Sequence, residues 1–280
     1  MIKRIGWLNH RIADEYLERH ELMLGPLYGN LQAHGWLYQS GSLRSGRICG
    51  LVSDRMVVGL LARFNDGNCM IHAAQEAELA RFVPELEALS FHTLWILGGG
   101  RGAARQINEA LGLKAKVVDH LMMMQRQPAP PEEDRELEFC DISTDPYDPE
   151  YLAAACRLLE ACFHYTPSQQ LFAQRIAERL PEEIYLLARY QGIWAAQAHI
   201  QAWTPRYGHI GGVATLPAYT GLGIGRRVTG RLCQYIHESG RLPTLTVRTD
   251  NLPALALYRR LGFEAAGVVT VLDTFPGQEM

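Results

Sequence analysis

The sequence has little that would place it in a membrane, an oxidising compartment or a nucleic-acid complex. None of its apolar runs approaches the roughly 20 residues needed to cross a bilayer. The N-terminal stretch "MIKRIGWLNHRIADEYLERHELM" is too charged for a signal peptide. A net charge of -3 on 280 residues gives no broad attraction for nucleic acid. We therefore expect a cytoplasmic protein that binds neither membrane nor nucleic acid.

Metal-binding and disulfide patterns are also missing. The six cysteines include no pair with the two-residue gap of a zinc or redox motif. The ten histidines show no metal-ligand spacing. We expect reduced, buried thiols and no metal site.

A proline-rich, acidic segment divides the chain. The stretch "QRQPAPPEEDRELE", residues 125–138, is typical of an exposed linker. The predicted domains are residues 1–130 and 131–280. The second reads as mixed α/β, with Ser168 as a helix N-cap and Gly240 closing the helix "GRRVTGRLCQYIHES".

An internal repeat relates the two halves. The segments that start at Thr93 and Thr244 both read as an apolar strand, a polar turn, a helix ending in Leu-Gly and another apolar strand. Upstream of Thr93, "RICGLVS", "MVVGLLARF" and "CMIHA" are candidate strands, and "AAQEAELARFVPELEAL" is a candidate long helix. The alternative to a repeat is that the two α/β halves resemble each other by chance.

The stretch "LPAYTGLGIGRRV", residues 216–228, is the strongest local motif. Its glycines fall between a strand and a helix, where bare helix N-terminal amides can bind an anion. Arg226 and Arg227 oppose the helix dipole unless a polyanion is bound. The pattern predicts a phosphate site, and a surface arginine pair beside a tight turn is the alternative.

Two common phosphate loops do not fit this motif. A dinucleotide-binding loop requires a third glycine where Arg226 stands and an acidic residue about 20 positions later. The region about 20 residues downstream reads "GRLPT" and contains no acid. A nucleoside-triphosphate loop requires Lys-Ser or Lys-Thr after the glycines, and this chain lacks both.

The segment "VATLPAYTGLGIGRRV" resembles the acetyl-CoA-binding motif of the GNAT superfamily of N-acetyltransferases. The segment "DNLPALALYRRLGF" resembles the family's second motif, and the two stand in the family's order. The resemblance covers roughly residues 135–280. Together with the internal repeat, it implies an α/β (α+β) fold of two GNAT-like domains, each a mixed, mostly antiparallel sheet flanked by helices, with a degenerate first copy.

The resemblance also implies the site residues. The pantetheine arm would pair with Val213 and Thr215 and touch Asn251, and Tyr258 would lie near the thioester sulfur. The usual Arg or Gln at the head of the loop is Thr220 here, which departs from the family pattern. The pyrophosphate would be held by the loop, whose residues are Thr220, Gly221, Leu222, Gly223, Ile224, Gly225 and Arg226.

Amine acetylation also requires proton transfers. A phenol with a pKa of about 10 is protonated at neutral pH, so Tyr258 is the candidate general acid. Core packing is the alternative role for that ring. His209 is the candidate base and His199 another strand histidine nearby. An amide of strand 208–215, such as that of Val213, is the candidate donor to the thioester carbonyl.

Aromatic side chains are candidates to line an acceptor pocket. They are His164, Tyr165, Trp194 and Trp203, although such residues are commonly part of a core.

The sequence thus predicts an N-acetyltransferase that moves acetyl from acetyl-CoA to a primary amine by direct attack in a ternary complex. The acceptor would be a small molecule or a peptide, and no metal would take part. The alternative is a non-catalytic acyl-CoA-binding regulatory protein. The sequence leaves open whether the chain forms a homodimer.

Overall fold

A computed structural model describes residues 1–130, 136–164, 167–178 and 183–274. Within these residues the strands are β1 (Ile2–Ile5), β2 (Gly46–Ser53), β3 (Met56–Phe64), β4 (Asn68–Ala73), β5 (Thr93–Leu97), β6 (Lys116–Gln125), β7 (Leu137–Asp141), β8 (Tyr185–Tyr190), β9 (Ile193–Trp203), β10 (Tyr207–Thr215), β11 (Leu242–Arg248) and β12 (Phe263–Asp273). The α-helices are α1 (Arg11–Arg19), α2 (Glu21–His34), α3 (Val83–Glu87), α4 (Arg101–Ala110), α5 (Pro149–Phe163), α6 (Gln169–Ala177), α7 (Ile224–Glu238) and α8 (Leu252–Arg260). Short 3-10 helices span Glu76–Phe82, Ile142–Thr144 and Pro217–Tyr219.

The chain forms two compact units. Among the described residues, the first unit contains 1–123, 246–251 and 265–274, and the second contains 124–245 and 252–264. The predicted domain boundary between residues 130 and 131 stays a prediction, because backbone compactness does not by itself delimit a functional domain.

The first unit is a mixed sheet covered on both faces. Its strands lie in the order β1-β2-β3-β4-β5-β12-β6. β1 to β4 are antiparallel neighbours, β5 is parallel to β4, and β12 is antiparallel to β5. Leu60 and Leu61 of β3 belong to two different apolar clusters. Because successive strand residues point to opposite faces, the two clusters lie on opposite sides of the sheet.

The second unit contains the sheet β7-β8-β9-β10-β11. Its first four strands are antiparallel, and β11 is parallel to β10. α5 and α6 cover a core that includes Leu158, Phe172, Tyr185 and Leu187. α7 packs against β8, β9 and β10.

Capping residues explain where the helices of the second unit begin and end. The Asp148 carboxylate accepts hydrogen bonds from the first amides of α5. The Ser168 hydroxyl accepts from the Leu171 N–H at 3.2 Å, which confirms the predicted cap of α6. Gly240 follows α7 with φ +77°, as a helix-ending glycine does.

The two units repeat one topology. Each has a strand, two helices, three antiparallel strands and a parallel strand followed by a helix. The predicted α/β (α+β) fold with mixed, mostly antiparallel sheets is confirmed. No helix in the described residues is long and apolar enough to span a membrane.

The expected long helix in the first unit is wrong. Residues Glu76–Phe82 form a 3-10 helix, and α3 then starts afresh at Val83 with a proline in its first turn. Pro84 lacks an N–H and clashes with the preceding turn, so an α-helix cannot run through it unbroken. The element that corresponds to α7 is therefore short and interrupted.

Candidate active site

The glycine loop joins β10 to α7. Gly221 and Gly223 have φ values of +80° and +76°, which only glycine adopts without strain. Gly223 is the N-cap of the 15-residue helix α7, and within the described residues no side chain caps this end. The first amides of α7 are thus positioned to donate to an anion.

Gly225 has a packing role in the same loop. A Cβ at Gly225 would lie 2.7 Å from Thr215 Oγ1 and 3.4 Å from Leu257 Cδ1. The missing side chain lets α7 approach the end of β10 and the middle of α8 closely. Backbone conformation therefore explains Gly221 and Gly223, and close packing explains Gly225, in addition to any role in the predicted anion site.

The two arginines after the loop fold back toward it. Arg226 Nη2 lies 3.8 Å from the position of a Cβ on Gly223, and Arg227 Nη2 donates to the Leu222 carbonyl at 3.4 Å. A cavity of about 230 Å³ runs along α7, and Arg226, Arg227 and Arg231 line it. Three guanidinium groups on one cavity favour an anionic ligand.

β10 has a bulge just before the loop. Gly211 pairs with His199 and Ala214 pairs with Gln197, so Gly212 and Val213 together stand opposite one residue of β9. A bulge takes one residue out of the hydrogen-bond ladder and turns its backbone groups outward. The parallel pairing of β10 with β11 covers only Tyr207–Ile210 in the described structure.

The model of the acetyltransferase (GNAT) family matches residues 139–263. This segment runs from β7 to the first residue of β12 and contains the bulge, the glycine loop, α7 and α8. Residues 139–263 belong to the GNAT acetyltransferase family. The resemblance inferred from the two motifs is thereby confirmed.

Two curated relatives match parts of this chain. The N-alpha-acetyltransferase RimI of Mycobacterium tuberculosis is 38% identical over 91 residues, which are 31% of this chain and 56% of that protein. The uncharacterized protein ML0378 of Mycobacterium leprae is 50% identical over 56 residues, which are 20% of this chain and 15% of that protein. The matches therefore span only 56% and 15% of these relatives.

A solved structure shares the architecture of the whole chain. The tandem GNAT protein from the clavulanic acid biosynthesis pathway, solved without AcCoA, has a TM-score of 0.55 at 15% identity. The match covers 99% of both chains. Because the sequence identity is low, this match shows the fold alone. The shared fold confirms the predicted fold class of two GNAT-like domains.

Tyr258 of the GNAT segment is buried on α8. Its side chain is 6% exposed, and its ring meets Phe263 edge-on with a centroid distance of 5.9 Å. Burial, together with the nearby Cys233 thiol, raises the pKa of the Tyr258 phenol well above its usual value. The phenol stays protonated, which suits both a general acid and a core residue.

His209 lies inside the sheet layer of the same unit. Its side chain is 4% exposed, and Nδ1 lies 3.1 Å from Thr244 Oγ1. Burial lowers the pKa of His209 to about 4. These are features of a structural histidine, and its predicted role as base stays a prediction.

The remaining predicted contacts lie in different places. Val213 and Thr215 are half-buried on β10, and the Thr220 hydroxyl donates to the Pro217 carbonyl at 2.9 Å. The hydroxyl that replaces the family's longer side chain thus stabilises its own turn. Asn251 is exposed just before α8 and belongs to the first unit, whereas the loop belongs to the second.

The two tryptophans proposed for an acceptor pocket do not come together. Trp194 donates to Glu150 Oε1 at 2.7 Å near one end of β9, and Trp203 meets Tyr235 of α7 at the other end. Nine residues of extended strand separate them by about 30 Å. His164 ends α5 in a left-handed conformation, and Tyr165 lies outside the described residues.

Three residues beside the bulge were not predicted from sequence. Gly212 has φ +59°, Tyr185 stacks on His199 with a centroid distance of 4.9 Å, and Gln197 is fully buried. The adjacent glycines Gly211 and Gly212 inside a strand are a recognisable signal of a bulge.

In the described residues no group of three metal-ligating side chains comes together.

Proposed function

We propose that the second unit binds acetyl-CoA and transfers its acetyl group to a primary amine by direct attack in a ternary complex. The observation that supports this most is the β10 bulge followed directly by the glycine-capped α7, inside the segment that matches the GNAT family. Acetyl-CoA is a co-substrate here, and the reaction uses no metal.

The loop amides hold the pyrophosphate in this proposal. Amides from Gly221 to Arg226 would donate to the pyrophosphate, because the N–H groups at the start of an α-helix project beyond its N-terminus. The helix dipole favours negative charge at this end. Arg226 and Arg227 add positive charge where their guanidinium groups fold back over the loop. They compensate for Thr220, whose hydroxyl is engaged within its turn.

The bulge polarises the thioester. Val213 and Thr215 pair with the pantetheine arm through backbone bonds, and the bulge turns an N–H toward the carbonyl oxygen. A preorganised backbone donor at a developing negative charge is worth about 10²-fold or more in rate. Asn251 is the further contact that the family motif assigns to the arm.

Tyr258 completes the proton balance. The amine nitrogen bonds to the carbonyl carbon, the carbon–sulfur bond breaks, and the ammonium loses two protons overall. Tyr258 protonates the leaving sulfur and regains a proton from the amine nitrogen. The other proton leaves through a base, for which His209 is the sequence prediction. The raised pKa of Tyr258 keeps it protonated until the sulfur departs.

The acceptor we favour is an α-amino group at a peptide N-terminus. The relative from Mycobacterium tuberculosis is named as an N-alpha-acetyltransferase, and it matches this chain at 38% identity. A small-molecule amine is the other member of the proposed acceptor class.

The first unit serves as a support in this proposal. It is a degenerate copy that binds no cofactor, because the 3-10 helix Glu76–Phe82 replaces a glycine-capped helix. The Glu76 carboxylate accepts from the Gly100 N–H at 3.3 Å, near the start of α4.

The six cysteines are free, which suits the cytoplasmic location that we propose.

Thiol release tests the function. The purified chain is incubated with acetyl-CoA and a panel of amines, comprising a peptide with a free N-terminus, an N-blocked lysine peptide, a polyamine and an amino acid. We expect amine-dependent release of CoA thiol, greatest with the free N-terminus. Binding of acetyl-CoA without thiol release from any amine would instead favour a regulatory protein.

The matched loop variants are Gly223→Asp and Gly223→Asn. Both side chains tolerate positive φ better than most, and only aspartate adds a charge that repels phosphate. We expect acetyl-CoA binding to be abolished in Gly223→Asp and retained, although weaker, in Gly223→Asn. Equal affinity of the two variants would mean that the pyrophosphate lies elsewhere.

A further inference from the structure

Gln197 on β9 has a buried amide without a hydrogen-bond partner in the described part of the chain. Its side chain is 0% exposed, and neither Nε2 nor Oε1 has a hydrogen-bond partner among the residues that the structure describes. An unpaired buried polar group destabilises a folded protein, and native structures satisfy nearly all such groups with protein or water. The amide therefore calls for a partner other than the described residues, and a water molecule is the simplest one.

The surroundings of Gln197 show which way the amide faces. Its register neighbours are Leu187 on β8 and Ala214 on β10, and both belong to the core beneath α5 and α6. His199 is two residues further along β9 and so lies on the same face. The two Cα atoms are about 6.6 Å apart, a separation that one water molecule can bridge between side chains.

His199 links this face to the bulge. A Cβ at Gly212 would lie 2.6 Å from His199 Nδ1, so the edge of the imidazole lies directly against the backbone of the bulge. The ring is half-buried and stacks on Tyr185 with an interplanar angle of 16°. His209, in contrast, is enclosed and lies beside Thr244.

We propose that the Gln197 amide holds a water molecule beside the β10 bulge, and that this water carries the acceptor-amine proton to His199. The inference rests on the proposed acetyl transfer. The water takes one proton from the ammonium and gives one to the imidazole, so it is unchanged. His199 is then the base and returns its proton to solvent after each turnover. Gln197 is a positioning residue that donates to the water and accepts from it.

Gln197→Leu tests the inference because it replaces the amide with an apolar side chain of similar size. At pH 7.5 we expect turnover to fall about 10-fold or more, with an unchanged KM for acetyl-CoA. At pH 10 a peptide α-amino group, whose pKa is about 8, is deprotonated without help, so the deficit should shrink to about 3-fold or less. The melting temperature should hold, since leucine fills the same buried volume and leaves no polar group without a partner.

Gln174→Leu is the matched control. Gln174 is exposed on α6 of the same unit, and its amide bonds Glu178. The control should retain wild-type turnover at both pH values. If Gln197→Leu does not fold, as judged by circular dichroism, Gln197→Met makes the same test with a more flexible side chain.

If the wild-type chain turns over an amine, either of two results would overturn the inference. One is a Gln197 variant whose turnover stays within 2-fold of wild type at pH 7.5. The other is a deficit of equal size at pH 7.5 and pH 10, which would indicate a structural role alone. A wild-type chain without turnover on any amine would overturn the proposed function and this inference together.

Discussion

Acid should destabilise the fold through His209, and the size of the effect follows from its burial. The pKa of this imidazole falls from 6.5 in the unfolded chain to about 4 in the folded protein. The unfolded state therefore binds the proton first as the pH drops, and stability is lost between pH 6.5 and pH 4. Linkage gives a loss of about 2.5 kcal/mol by pH 4.5 from this one group.

The measurement is a difference between wild type and His209→Asn, a variant with a polar atom near the position of Nδ1. Urea unfolding at pH 7.5 and pH 4.5 gives the free energy of unfolding of each protein. Other titrating groups contribute equally to both proteins, so they cancel in the difference. The variant should lose about 2.5 kcal/mol less than wild type between the two pH values.

A parallel loss in both proteins would refute this reasoning. It would mean that the imidazole of His209 takes up a proton as easily in the folded state as in the unfolded chain. The side chain would then reach solvent or substrate, and the base predicted from the sequence would regain support over His199.

Three further predictions concern the acetyl-transfer site. Tyr258→Phe should lower turnover by about 10²-fold or more while acetyl-CoA affinity, measured by calorimetry, barely changes; wild-type turnover would leave Tyr258 as a core residue. Calorimetry on the whole chain should also give one acetyl-CoA per chain, and two equivalent sites would contradict the degenerate role of the first unit. Gly212→Ala should destabilise the second unit by about 2–4 kcal/mol in urea unfolding, because φ is +59° and the new methyl meets the His199 ring. An unchanged free energy of unfolding would show that the bulge relaxes without cost.

Features that depend on neighbouring residues were predictable from the sequence. The positive φ of Gly221 and Gly223, the N-cap at Ser168 and the strand–loop–helix order all follow from local backbone chemistry. The GNAT resemblance depends on two such local motifs, so it too could be recognised without coordinates. The expected helix across residues 73–89 failed for a local reason as well, since Pro84 interrupts it.

The tertiary structure decided what depends on distant strands. The alternation of apolar residues does not reveal that β12 pairs with β5, or that Gly212 and Val213 share one partner on β9. The burial of His209 and the unpaired amide of Gln197 exist only once the sheet and its helices are packed. The sequence thus determined the resemblance of residues 139–263 to the GNAT family and the backbone of the glycine loop, because neighbouring residues control φ, caps and helix ends. Only the folded sheet distinguished the enclosed histidine from the one beside the bulge, because burial depends on residues far apart in the chain.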